Sequence, residues 1–258
     1  MGADSLLMAA PTPQQPSPLL EAYPIKAGIS MAANLREAFA THPLVGQQGL
    51  RAQVLVDTPV MLVPAEETPT DIETLYHHTF TGFEGQHLLQ SPLPEFNATM
   101  AFPLNKDVKA VIDHHFLEAH YTPAIQPVIT YLHRRSHTQT GAAKSMATTA
   151  QLYAYRHGTR LHVFSFQRNR LRFYNSFESA STSDTIYYIL YIWKQLAFNA
   201  LGDELYLCGD IEDELLRSLR LYLQNAYHIN PSAEFNRAPI TQTAGLPFDL
   251  MTFLVQKK

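Results

Sequence analysis

The sequence predicts an α/β protein of two lobes, each a mixed sheet flanked by helices, and three observations predict it. The chain has 258 residues, above the usual single-domain size, so two lobes of roughly 100 to 150 residues can each bury a core. Alternating apolar patterns give way to helical stripes in both halves. The order strand, helix, strand, helix, strand occurs twice without visible sequence identity, the mark of a duplicated architecture. Between the copies, "SHTQTGAAKSMATTA" (136–150) is small, polar and weakly patterned, which places the lobes at 1–140 and 141–258.

In the first half, "SLLMAA" and "LLEAYPIKA" read as a hairpin around the proline-rich turn "PTPQQPSP", followed by a helix over "SMAANLREAFATH". "RAQVLVDTPVMLVP" is strand-like, and "TPTDIETLYHHTF" opens with Thr70 and Glu73 at capping-box spacing before Ile72, Leu75 and Tyr76. "NATMAFPLN" is the next strand, "KDVKAVIDHHFLEAH" the next helix and "AIQPVITYL" a further apolar segment. By this reading the first lobe starts one strand short of the second.

The second half is cleaner. "YAYRHGTRLHVFSF" (153–166) is two strands joined at a tight turn through His157, Gly158 and Thr159, and "RLRFYNSF" adds a third after the polar "QRNR". "TSDTIYYILYIWKQLAF" carries Ile186, Ile189, Leu190, Trp193, Leu196 and Ala197 on one stripe, with Thr182 or Ser183 as cap candidates. "DELYLCGD" is a short strand ending at Gly209, and "IEDELLRSLRLYLQNAY" is a helix with acids in its first turn. A last strand is expected near "EFNRAPI".

An apolar share of 46% with 16% charged residues suits a folded interior. The net charge of −4 gives no global attraction to nucleic acid or to an anionic membrane. A single cysteine, Cys208, excludes an internal disulfide and any multi-cysteine metal site. It fits a reducing compartment, and with no apolar run of membrane-spanning length the expected location is the cytoplasm.

The stretch "RLRFYNSFESASTSDTIYYILYIWKQLAF" followed by "DELYLCGD" resembles an uncharacterised family of Bacteroidetes proteins with an actin-like ATPase, or ribonuclease H-like, fold. The resemblance runs from about Met31 to the C-terminus and is strongest at "FYNSF", Asp184 and "YYIL". It implies a fold, a bacterial origin and no established activity. It also implies where a nucleotide would sit: two hairpin turns, each with a carboxylate for Mg²⁺, and a paired-glycine turn near the adenosine.

All three places depart from that pattern. The first-lobe turn offers Pro-Thr-Pro-Gln-Gln-Pro, whose prolines lack donors. The second-lobe turn keeps Gly158 and Thr159 with Arg156 where the carboxylate should be. The third keeps Gly209 followed by Asp210, which could equally be a helix N-cap. Arg156, Gly158, Thr159, Gly209 and Asp210 are therefore the nucleotide-site candidates.

Other constellations are weaker. "VIDHH" (111–115) matches the Asp-His-His motif of a phosphoesterase family, yet its spacing is helical and that family's remaining motifs are absent. His114 and Glu118 could form a surface metal pair with His120, although a polar helix face explains them as well. His77 and His78 point from different faces. Arg156, Arg160, Arg168, Arg170 and Arg172, with Tyr153, Tyr155, Phe173 and Tyr174 as stacking surfaces, could meet RNA. Successive turns of a meander lie about 17 to 20 Å apart, which divides that patch. No serine sits in a nucleophile motif, and Cys208 has no evident histidine partner in sequence.

The expected function is that of a catalytically silent actin-like protein, without cofactor or metal, that binds another protein or itself as a homodimer. The alternatives are a divergent nucleotide-binding ATPase and an RNA-binding accessory protein.

Overall fold

Two compact units, Met1–Gln126 and Pro127–Lys258, divide the chain. The computed structural model describes residues 5–12, 15–47, 49–139, 149–167, 170–236, 238–243 and 245–256.

The first unit opens with β1 (Ser5–Thr12) and β2 (Gln15–Pro24), an antiparallel pair that forms a sheet by itself. α1 (Met31–Thr41) follows, its first turn capped by Ser30, whose Oγ accepts from the Ala33 N–H. Pro59 separates β3 (Arg51–Val56) from β4 (Met61–Pro64), so the strand-like "RAQVLVDTPVMLVP" is two strands. α2 (Pro69–Thr79) is capped by Thr68, two residues before the expected Thr70, with Pro69 in its first turn. β5 (His87–Leu93), unread in the sequence because Pro92 interrupts it, and β6 (Ala98–Leu104) complete a three-stranded sheet of order β4-β6-β5. Val63, Ile72, Tyr76 and Ala101 form its small core.

α3 (Lys106–His115) leads into β7 (Glu118–Pro123), which pairs in parallel with β3. The expected helix over 106–120 thus ends early, at the Phe116 C-cap. The module β4-α2-β5-β6 lies between β3 and α3. Without it the order is hairpin, helix, strand, helix, strand, and the repeated helices are α1 and α3 rather than α2 and α3.

The second unit takes most of α4 (Ile125–Gln139), which contains the apolar segment "AIQPVITYL" that the repeat order has as its last strand. Pro127 is tolerated in the first turn, where its missing N–H has no helical partner. β8 (Gln151–His157), β9 (Arg160–Gln167) and β10 (Arg170–Glu178) are the expected meander. α5 (Thr182–Gln195) starts from a capping box between Ser181 and Asp184, not from Thr182 or Ser183. β11 (Glu204–Gly209), α6 (Asp213–Leu219) and β12 (Asn225–His228) follow. The sheet order is β10-β9-β8-β11-β12, antiparallel across the meander and parallel from β8 to β12. The expected strand at "EFNRAPI" is instead the end of α7 (Pro231–Glu234) and a 3₁₀ turn at Pro239–Gln242, since β12 has already filled the edge. α8 (Phe248–Gln256) follows.

Both faces of this sheet are buried, which is why its central strands read as continuous apolar runs. On one face Leu152, Ala154, Leu161, Val163, Leu205 and Leu207 pack with Ile189, Ile192 and Trp193 of α5 and Leu215 and Leu219 of α6. On the other, Phe164, Tyr153, Tyr206 and Tyr227 form one row across four strands, with ring centroids 5.6, 5.3 and 5.5 Å apart. α4 crosses that row. Arg135 lies 5.1 Å over the Tyr206 ring and donates to Glu234 at 2.8 Å, and the Tyr131 hydroxyl donates to the same carboxylate. These contacts make α4 part of the second unit and place the division at Gln126, whereas the expected boundary at 140/141 falls among residues outside the described ones.

His162 is buried beside this row, its ring stacked on Tyr155 and its Nδ1 2.9 Å from the Tyr174 hydroxyl. Burial, helped by the charges of Arg160 and His157, pushes its pKa down to about 3. A histidine held neutral in the fold binds a proton only after unfolding. Its stabilising effect is whole above about pH 6.5 and is lost as the pH falls towards 3, by up to about 1.4 kcal/mol per pH unit. Urea midpoints measured from pH 7 to pH 4 are expected to fall steadily, and to fall less in His162→Gln.

Candidate functional site

The five candidate residues meet at the turn between β8 and β9. Gly158 has φ of 55° there, which suits a tight hairpin and explains glycine at this position. β11 runs parallel to β8 with Gly209 opposite Arg156. Gly209 has φ of 90°, and a Cβ on it would lie 2.0 Å from the Arg156 carbonyl oxygen. Only glycine permits this approach. It lets the Asp210 N–H donate to Arg156 O at 2.8 Å and brings Asp210 Oδ2 to 2.8 Å from the Gly158 N–H.

Asp210 therefore serves the hairpin and not the following helix. The N-cap of α6 is Glu212, whose side chain makes no capping bond. Glu212 instead accepts from Thr182 Oγ1 at 3.0 Å and lies 3.5 Å from Arg156 Nη1. Across the turn, Thr159 Oγ1 donates to Glu178 at 2.8 Å, with Arg160 Nη2 at 3.9 Å from the same carboxylate. Arg156 is nearly buried, whereas Glu178 and Glu212 are exposed.

The chemistry is that of an anion cradle with its anions built in. One backbone N–H, two hydroxyls and a guanidinium are the donors a phosphate would seek. Each faces Asp210, Glu178 or Glu212 instead. Arg156 cannot hold a metal ion, and three carboxylates repel an incoming phosphate. Glu178, Thr182 and Glu212 were not among the sequence candidates. Register could have found Glu178, which pairs with Arg160 across the β9–β10 ladder. The other two needed the start of α5 set beside the start of α6. Asp210→Ala is expected to cost about 1 kcal/mol, because its bond is exposed and charge-assisted. Hydrogen exchange at the Gly158 amide should rise roughly fivefold with it.

The remaining candidates are placed as follows. The first-lobe turn includes residues 13 and 14, outside the described residues. His114 lies on α3 and Glu118 on β7, so they do not share a helix, and Glu118 is engaged by Arg51 at 3.3 Å and His120 at 3.0 Å. Among the described residues no three His, Cys, Asp or Glu side chains gather to hold a metal. Asp113 of "VIDHH" is bound by Lys109 and by the Tyr121 hydroxyl at 2.6 Å.

The stacking surfaces proposed for RNA are corrected by burial, since Tyr153 and Tyr155 are 0% and 1% exposed. Arg172 lies over Phe198 and donates to Leu196 O, and Arg168 falls outside the described residues. Burial pushes the Cys208 thiol far above its ordinary pKa, which removes the thiolate a nucleophile needs.

A family model described as "Protein of unknown function (DUF3822)" matches residues 7–226. Comparison with curated proteins gives no match. A crystal structure from Bacteroides thetaiotaomicron VPI-5482, described as a protein with actin-like ATPase fold and unknown function, is 22% identical with a TM-score of 0.76. That likeness covers 94% of this chain and 93% of the other. The PilM-PilN type IV pilus biogenesis complex contains a chain 12% identical, at a TM-score of 0.58, covering 99% and 96% of the two chains. The fold is the actin-like ATPase fold that the sequence predicted.

Proposed function

We propose a non-catalytic, protein-binding role for this chain, which belongs to the family of proteins of unknown function matched over residues 7–226. One observation carries the reading. The donors around the hairpin turn are directed at the protein's own carboxylates, Gly158 N–H to Asp210, Thr159 to Glu178, and Arg156 and Thr182 to Glu212. A phosphoryl-transfer site works by holding Mg²⁺ with carboxylates and phosphate with free donors. Here the carboxylates hold the donors, and the fold remains as a scaffold.

A protein partner is favoured over nucleic acid by the acidic balance of the chain and by the burial of its central tyrosines. The PilM chain is found in complex with PilN, which supports partner binding as a use of this fold. The single cysteine fits work in the cytoplasm. Among the described residues no helix is long and apolar enough to cross a membrane.

Calorimetric titration of the full chain with Mg·ATP tests the reading. Flat heats to millimolar nucleotide are expected. Saturable micromolar binding would favour a divergent nucleotide site at the same turn.

A further inference from the structure

β10 and α5 share an aromatic surface at one edge of the second unit's sheet. β10 is the outer strand in the order β10-β9-β8-β11-β12. β8 and β9 each bury five residues in succession, whereas none of the nine residues of β10 is buried. Leu171, Phe173, Tyr174 and Phe177 all remain partly exposed. Phe177 stacks on Tyr188 of α5 with ring centroids 4.4 Å apart, Tyr188 meets Tyr187 at 5.3 Å, and Tyr187 stacks on Tyr191 at 6.0 Å. This row runs from the strand into solvent, where Tyr187 is 62% and Tyr191 46% exposed. Apolar surface of that kind is a mark of an interaction site.

The direction of the backbone along β10 follows from its end. The Ser179 N–H donates to Thr159 O at 2.6 Å. By alternation Phe177, Asn175 and Phe173 turn their backbone groups towards β9, and Ser176 and Glu178 turn theirs outward. A bulge between Leu171 and Phe173 interrupts the start of the strand and leaves 173–178 regular. Among the described strands β10 pairs only with β9. At the opposite edge, Arg220 Nε donates to Ala226 O of β12 at 3.0 Å. On β10, Asn175 Oδ1 accepts the Ser176 N–H at 2.8 Å, a cover that one side-chain rotation removes.

We propose that β10 pairs with β10 of a second copy of this chain, antiparallel and centred on Asn175, with the α5 tyrosines of the two copies meeting alongside. The strand complements itself in that direction. Phe173 and Phe177 both pack on the α5 side of the sheet. Each falls opposite the other across a centre at Asn175, so one aromatic cross-strand pair is made twice. Arg170 and Arg172 stand at one end of β10 and Glu178 at the other. Antiparallel copies therefore bring unlike charges near each other at both ends, where parallel copies would set like against like. The inference extends the protein-binding reading to one surface. Its test reads mass and edge protection, so it stands or fails separately from the Mg·ATP titration.

Sedimentation equilibrium of the 258-residue chain, from about 1 to about 200 μM, is expected to show monomers and dimers in exchange. Amide exchange at Ser176 and Glu178 should slow as concentration rises. Ser176→Pro removes an outward N–H and should weaken the dimer on the order of tenfold. Tyr187→Glu combined with Tyr191→Glu, both on the solvent side of α5, should weaken it at least as much, on the order of tenfold or more. Asn175→Ala uncovers the Ser176 N–H and should tighten the dimer roughly fivefold. Circular dichroism checks that each variant is folded, and the tyrosine pair decides if the proline variant is not. A chain that stays monomeric at about 200 μM would overturn the proposal and leave the edge to a strand from a different protein. A dimer indifferent to these substitutions would overturn it as well.

Discussion

Gly209→Ala is expected to destabilise the protein by roughly 3 to 5 kcal/mol, or to prevent folding at 37 °C. The added Cβ would meet the Arg156 carbonyl oxygen at 2.0 Å and the Tyr155 ring at 2.8 Å, on a backbone already at φ of 90°. Neither neighbour can yield cheaply. The Arg156 carbonyl accepts the Asp210 N–H, and Tyr155 is fully buried against His162 and Phe248. Urea unfolding of the purified variant measures the loss, and a change below 1 kcal/mol would contradict the close approach. Gly158→Ala is the control. Its φ of 55° is unfavourable for alanine, yet nothing lies within 4 Å of the added Cβ, so about 1 kcal/mol is expected.

The second large effect is at Tyr153. This side chain is fully buried, stacked between Phe164 and Tyr206, with its hydroxyl donating to Gln151 at 2.9 Å. Tyr153→Ala would open a cavity in the middle of the aromatic row and should cost about 3 to 5 kcal/mol. Tyr153→Phe keeps the ring and loses only the hydroxyl bond, so about 1 kcal/mol is expected. Equal effects of the two variants in urea unfolding would show that ring packing is not what holds the row.

The second unit was legible because its meander and α5 obey short-range rules. The turn at Gly158 and the helical stripe through Ile189 and Trp193 each declare themselves within a few residues. The first unit was less legible. The module β4-α2-β5-β6 is an insertion, and a reader looking for a repeat absorbs α2 into it. "AIQPVITYL" falls where the repeat expects its last strand, although Ile125, Val128, Ile129 and Leu132, the large apolar residues it buries, stand at helical spacing that Pro127 obscures.

At the turn, glycines and Asp210 were visible as residue types, but not their direction. Asp210 looks like an N-cap from its place before a helix. That it bonds the Gly158 N–H depends on the parallel register of β8 and β11, a contact between residues 52 positions apart. Sequence spacing has no access to such a contact.

The non-catalytic reading rests on the carboxylates of Asp210, Glu178 and Glu212 occupying the donors a nucleotide would need. The backbone amide resonance of Gly158 reports on it most directly. Followed by NMR through a titration with Mg·ATP to millimolar concentration, that resonance is expected to stay unmoved in the 258-residue chain. A saturable shift of the Gly158 amide, accompanied by release of its bond to Asp210, would contradict the account.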